Sequence, residues 1–235
     1  MKGSQTISTG DPVPRVYRSA VRQDGASRTK QLITAAAREL FLTDGYAATS
    51  VAAIARAAGV SGQTVYNVFG SKAALLKHVY DVTMVGDDQP VPFADRPEVR
   101  ALHAESDPRA FLAGYAAIGL VLLERLGPLM GVIMAGAAAG EPDLVAHVAT
   151  VNGERLAGVT MTIRRLTELT PLRSGLDPDQ ARDILWTLNS VEVWQLLVGH
   201  RGWSGEEYVR WVAETAAASL LPPGDDRRAA SASSG

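Results

Sequence analysis

The chain has 235 residues, of which 46% are hydrophobic, 20% charged and 6% aromatic, enough apolar material for one sizeable core or two small ones. With no cysteine, disulfides, thiolate catalysis, Cys-ligated zinc and iron–sulfur clusters are excluded; with only four histidines, no metal site or cofactor is expected. The formal net charge of -2 joins two unlike parts: residues 15–85 carry nine basic side chains against four acidic ones, and residues 86–235 carry thirteen against twenty.

Residues 1–10 are polar and lack an apolar run after a basic patch, so no signal peptide is expected and 1–24 read as a flexible extension. A helix is predicted over 28–44, where Leu32, Ile33, Ala36, Ala37, Leu40 and Phe41 share one face before Gly45. Thr49 or Ser50 can cap a second helix with Val51, Ile54, Ala55 and Ala58 as its apolar stripe. After Gly59 and the apolar anchor Val60, Ser61 can cap a third short helix through Thr64, Val65, Tyr66 and Phe69. Gly70 closes it, and Ser71 caps a fourth on Ala74, Leu75, Val79 and Val82.

Residues 86–107, with Pro90, Pro92 and Pro97, read as a loop or linker in which 97–104 can add a short helix. Pro108 opens a helix to Arg125 on Phe111, Leu112, Tyr115, Ile118, Gly119, Leu122 and Leu123. Pro128 is expected to interrupt it, leaving a short helix to Ala139. The apolar stretch 126–140 is shorter than the roughly 20 residues of a membrane span, so no membrane partner and a cytoplasmic location are expected. Pro142 can open a long helix to Leu169 with a break near Gly153. Asp177, with Pro178 behind it, caps a helix expected to reach Val198. Ser204 and Glu207 form a capping box for the last helix, which ends near Leu221, and 222–235 read as a disordered tail.

Two short helices joined through Gly59, where a left-handed backbone is cheap, with Val60 filling the angle between them, form a helix-turn-helix pattern. Such a unit offers its second helix to the DNA major groove with small and polar residues outward, which Ser61, Gly62, Gln63, Thr64 and Asn67 supply. The same pattern also fits a helical hairpin inside an all-α domain.

The phrases LITAAARELFLTDGYAATSVAAIARAAGVSGQTVYNVFGSKAALL resemble the TetR (tetracycline-repressor-like) family of transcriptional regulators, with helix faces, glycines and the FGSK element in register. The resemblance implies an all-α fold: a three-helix helix-turn-helix DNA-binding domain with its connecting helix over 25–85, a linker over 86–107, and a helical ligand-binding and dimerisation domain over 108–221. It implies that Ser61, Gln63, Thr64, Tyr66 and Asn67 lie at the DNA surface, that Tyr66 and Lys72 meet phosphates, and that Thr49 and Ser50 belong to the phosphate-contacting start of the second helix. Arg28, with Arg15, Arg18 and Arg22, can reach the minor groove or flanking phosphates, or form an ordinary solvated extension.

The family further implies a homodimer through the last two helices, 177–199 and 204–221, on a palindromic double-stranded DNA operator, and a repressor released by a small-molecule effector. All four tryptophans fall in this region and fit either an interface or the domain core. Phe111, Tyr115, Met130, Met134, Leu156, Met161, Trp186, Asn189, Glu192 and Trp194 offer a soft, aromatic lining suited to a largely apolar ligand. No enzyme is expected: His78, His103, His147 and His200 are scattered, and no nucleophile elbow or phosphate-binding glycine loop is present. The alternative from another class is a helical ligand-binding or dimeric interaction protein without a DNA function.

Overall fold

The computed structural model describes residues 15–87, 89 and 91–223, of which 15–24 as backbone alone; the expectations for 1–14 and 224–235 lie outside the described residues. All regular structure among the described residues is helical. Helix α1 (Arg15–Thr43) starts well before the stripe that predicts it, so part of the expected extension is helix. An apolar stripe reports burial, and a solvated helical turn needs none. Downstream, Ile33, Ala37 and Phe41 are fully buried.

Helices α2 (Val51–Ala57), α3 (Gly62–Phe69) and α4 (Lys72–Val85) each start on a serine whose hydroxyl accepts an orphan backbone N–H. Ser50 Oγ takes that of Ala53 at 3.1 Å, Ser61 Oγ that of Thr64 at 3.0 Å, and Ser71 Oγ that of Ala74 at 3.0 Å. Between α2 and α3, Gly59 adopts φ +67°, which lets the N–H of Val60 return to the Ala55 carbonyl at 2.9 Å.

The expected linker is largely structured. A 3-10 turn (Phe93–Asp95) leads into α5 (Pro97–Ala104), and Arg96 grips both oxygens of Asp87 at 2.5 and 2.8 Å, holding that carboxyl down at about 2. Helix α6 (Pro108–Ala138) then runs without the interruption expected at Pro128. An interior proline costs about 3 kcal/mol, and α6 offsets this by burying residues from Phe111 to Ile133 against α1, α4, α5, α7, α9 and α10. The uninterrupted helix is long and apolar enough to cross a membrane by length and composition, which corrects the shorter stretch expected; here it is the central packing element of a helical body.

Helix α7 (Pro142–Leu169) shows no break at Gly153. A helical glycine costs about 1 kcal/mol, little beside the burial of Leu144, Val151, Val159, Ile163 and Leu166. Helix α8 (Pro178–Leu188) keeps its expected Asp177 cap but stops ten residues short of Val198. Asn189 leaves the helical region (φ -103°, ψ 48°), and Ser190 caps α9 (Val191–Trp194), which continues as a π-helical stretch (Gln195–His200). The break brings Asn189 against the backbone of α6, where a Cβ on Gly119 would stand 2.1 Å from its amide nitrogen. Helix α10 (Gly205–Leu220) carries the Ser204–Glu207 capping box.

One buried cluster runs from Phe41 and Leu75 through Tyr80, Leu126 and Met130 to Tyr208, so α1–α4 share a core with the helices behind them. A second cluster, including Phe111, Leu166, Leu185 and Leu220, closes the far end.

Candidate functional site

Helix α3 buries Val65 and exposes Ser61, Gln63, Tyr66 and Asn67, with Tyr66 50% accessible. Its polar groups are held in place by one another: the Ser61 and Thr64 hydroxyls lie 2.8 Å apart, and Gln63 Nε2 donates to Asn67 Oδ1 at 2.9 Å. Ser50 and Arg28 are also exposed. Thr49 departs from its expected role. It is 2% accessible, and its hydroxyl donates inward to the Gly45 and Leu40 carbonyls at 2.7 and 3.1 Å, closing the turn before α2. Lys72 lies with Nζ 3.8 Å from the centroid of the Tyr46 ring, where desolvation lowers its pKa against the opposing pull of Glu141 and Asp143. The Tyr46 hydroxyl donates to Asp143 Oδ2 at 2.6 Å, tying the turn between α1 and α2 to the start of α7.

Behind this unit lies a cavity of about 320 Å³. Tyr80 and Met84 of α4, Phe93 and Val99, Leu102 and His103 of α5, Ile118, Leu122, Leu126 of α6, and Val148, Val151, Asn152 and Arg155 of α7 form its walls. Of the residues expected to line a pocket, Tyr115, Met130, Met134, Met161, Asn189 and Glu192 border it. Phe111, Trp186, Trp194 and Leu156 do not. Phe111 is 1% accessible in the far core cluster, and Leu156 is an exposed α7 residue. Trp194 packs its ring against the backbone of Gly127, where a Cβ would meet it at 2.6 Å. Trp186 faces Arg155, whose guanidinium carbon stands 4.5 Å from the ring centroid.

Four polar groups of the cavity wall lie near one another: Tyr115, Asn152, Arg155 and Asn189. Asn189 hydrogen-bonds the Tyr115 phenol, whose pKa burial raises; outside the lining, the Tyr208 hydroxyl donates to the Leu188 carbonyl at 3.2 Å, which the end of α8 leaves free. Arg155 donates to the Trp186 carbonyl at 2.5 Å and to Asn152 Oδ1 at 3.4 Å, and desolvation lowers its pKa. A sequence signal for Arg155 existed: it interrupts the α7 stripe of Val148, Val151, Val159 and Thr162 with a charge. Phe93 lay in a proline-rich stretch without periodicity and carried none.

Residues 33–79 match the family model for bacterial regulatory proteins of the tetR family. Over this segment the chain carries the helix-turn-helix region of the TetR family, and along most of its length it shares the fold of a solved structure assigned to that family. A structure from Mesorhizobium loti MAFF303099, assigned to the same family, is 25% identical, with 83% of this chain and 98% of that one aligned at a TM-score of 0.59. A Saccharomonospora viridis protein solved with choline is 20% identical over 83% of this chain and 98% of its own, at 0.59. The transcriptional regulator FadR from Bacillus subtilis, solved with stearoyl-CoA, is 18% identical over 79% and 96%, at 0.60. Curated protein sequences give no match.

Within the matched segment α3 is the second helix of the helix-turn-helix motif, and the motif and the cavity are joined by α4. Its first residue, Lys72, lies by Tyr46, while Tyr80 and Met84 near its other end enter the cavity wall. Lys77, midway, pairs with Asp81 at 2.6 Å and with Glu154 of α7 at 3.0 Å. Arg125 of α6 donates to the Val85 carbonyl at 3.0 Å, capping the last turn of α4. His147 stands edge-on to Tyr80 at 5.2 Å; its Nε2 is buried without a hydrogen-bond partner, and desolvation followed by the Lys77 charge lowers its pKa. Among the described residues, no group of three His, Asp or Glu side chains is placed to hold a metal ion.

Proposed function

We propose that this regulator binds a palindromic operator as a homodimer and represses from it until a small, largely apolar effector fills the cavity. The observation that carries the reading is the exposed polar face of α3 within a segment of charge +5, set on an α4 whose other end forms cavity wall. In this reading residues 25–85 hold DNA and 108–221 hold the effector and the dimer contact, with 86–107 contributing wall residues. Ser61, Gln63, Thr64 and Asn67 enter the major groove, where Gln or Asn can pair with adenine through two hydrogen bonds. Ser50, Tyr66, Lys72 and Arg28 meet phosphates, which position the motif without reading sequence. Thr49 acts from inside, by fixing the turn that aims α2.

The dimer contact runs through 177–199, which comprises α8, α9 and most of the π-helical stretch, and through α10, so that two α3 helices sit one DNA turn apart. An effector that presses on Tyr80 and Met84 favours a different tilt of α4 and therefore a different spacing of the two α3 helices. Its leverage is limited to the difference in its affinity for the two states. Relatives solved with choline and with stearoyl-CoA support a helical body that receives small molecules. The reading places the protein in the cytoplasm, where its operator is.

The test is binding of fluorescently labelled palindromic DNA, drawn from the promoters flanking its own gene, at falling salt concentrations. Wild-type protein should bind with a steep salt dependence, and Tyr66→Ala should bind at least tenfold more weakly with unchanged melting behaviour. Equal binding by the variant, or a dimer contact that survives disruption of both α8 and α10, defeats the reading.

A further inference from the structure

We infer that the ligand of the cavity is an amphiphile whose carboxylate is received by Arg155, with Tyr115 and Asn189 beside it, while its apolar body lies toward Met130 and Met134. This rests on the effector-cavity reading and sharpens it from an apolar ligand to an acid with an apolar chain. A guanidinium withdrawn from water normally keeps a carboxylate partner, because the lost solvation is otherwise left unbalanced. Among the described residues none stands within ion-pair distance of Arg155, and its acceptors are neutral: the Trp186 carbonyl and the Asn152 side chain. Glu154, its neighbour on α7, is engaged by Lys77 at 3.0 Å. Glu192 is exposed and acts on Arg155 through its field without an ion-pair contact.

The same contacts prepare the group for a ligand. Stacking on Trp186 and the 2.5 Å bond to its carbonyl fix the plane of the fork. A guanidinium has five N–H donors, and two have acceptors among the described residues, so a bidentate carboxylate can be taken up without breaking either. Tyr115 and Asn189 border the same cavity and are hydrogen-bonded to each other, and Tyr115 lies close enough to act on the Arg155 charge, giving a second polar pair near the guanidinium. Leu122, Leu123, Leu126, Met130 and Met134 of α6, with Met84 and Val148, give the cavity a continuous aliphatic and thioether wall. At about 320 Å³ the space is near the low end for ligand cavities, which suits a chain of medium length.

Titration calorimetry of the full chain at neutral pH, with decanoate and with 1-decanol as probes, separates the two ends of the ligand. Wild-type protein should bind decanoate about tenfold or more tightly than 1-decanol, the advantage of a charge-assisted pair over a neutral one. Arg155→Gln should bring the two probes within about twofold by weakening decanoate alone, and Arg155→Lys should restore part of the preference. Equal binding of acid and alcohol to the wild type, or a preference that survives Arg155→Gln, overturns the assignment and leaves the apolar cavity standing. If neither probe binds, the effector cavity falls with it. Should Arg155→Gln melt early, the acid-to-alcohol ratio of the wild type and of Arg155→Lys decides.

Discussion

Replacing Tyr46 by Phe removes one oxygen from the join between the DNA-binding motif and the body, and little else. The ring keeps its place 5.4 Å from Phe41 and under the Lys72 ammonium; what is lost is the 2.6 Å bond to Asp143. Hydrogen bonds to charged groups contribute about 1.5–3 kcal/mol. Asp143 is exposed and regains water once released, which places the expected loss at about 1.5 kcal/mol. For a chain of this size that lowers Tm by about 3–6 °C. Urea unfolding of Tyr46→Phe, Asp143→Asn and the double variant at one protein concentration gives the coupling directly, expected at about 1 kcal/mol. An unchanged urea midpoint in Tyr46→Phe, or an Asp143→Asn loss that is equal with and without the tyrosine hydroxyl, refutes the bond as a tie between the two units. The sign with pH follows from its cause. Burial and then the Asp143 carboxylate raise the folded-state pKa of Tyr46 above 10, so the contribution is complete below pH about 10 and is lost as pH rises beyond it. Tyr80, pushed up to about 12 by burial, moves in the same sense, so the alkaline fall of Tyr46→Phe should be shallower than that of the wild type without vanishing.

His147 titrates at the other end of the range: burial lowers its folded-state pKa below the unfolded value of about 6.5, so stability present above that pH is lost as pH falls through the folded value, and His147→Phe should flatten this acid limb in urea midpoints measured across it. An acid limb as steep in the variant as in the wild type would place the loss elsewhere. Gly119→Ala sets a Cβ 2.1 Å from the Asn189 amide; displacing Asn189 should cost about 1–3 kcal/mol and weaken any ligand held at the Tyr115 end of the cavity, readable by calorimetry with decanoate. In DNA binding, Lys72→Ala should reduce the slope of log affinity against log salt by about 0.9, the signature of one phosphate contact, whereas Thr49→Val should lower Tm through its lost carbonyl bonds and leave that slope unchanged.

The parts of this molecule that were legible in its sequence are those fixed by local chemistry. Ser50, Ser61 and Ser71 announce helix starts because a hydroxyl one residue before a helix can take an N–H wherever that helix packs, and Gly59 announces a left-handed turn because its cost is local too. Long helices escape local reading where the deciding energy comes from distant partners. Pro128 and Gly153 oppose helix locally, yet α6 and α7 pass through them on the strength of burial against other elements. Conversely, α8 stops at Asn189, whose side chain packs against a distant element, the bare backbone of α6 at Gly119. The cavity was legible by composition on α6, where Tyr115, Met130 and Met134 carry the right periodicity. It was illegible at Phe93, which reaches the wall from a turn without any, and at Trp186 and Trp194, whose size suggests a ligand wall but whose rings serve Arg155 and Gly127.

The opposite charges of the two parts have a structural counterpart at their join. Apolar packing there is continuous, with Leu75, Leu76, Val79 and Tyr80 of α4 in the same buried cluster as Leu126 and Met130 of the cavity wall, and apolar packing alone has little directional preference. Direction comes from polar ties at three heights: Tyr46 to Asp143, Lys77 to Glu154, and Arg125 to the last carbonyls of α4. In the first two, a group of the +5 segment meets a carboxylate of the -7 segment. A ligand that shifts Tyr80 or Met84 without breaking these ties can only rotate α4 within them, whereas one that draws Arg155 toward itself acts on the helix that carries Glu154, one residue away. The charged end of a ligand would thus act through the Lys77–Glu154 pair and its apolar end through Met84. An acid should therefore change DNA affinity more than an alcohol of equal length even at saturating concentrations of both, a difference that affinity for the cavity by itself cannot produce.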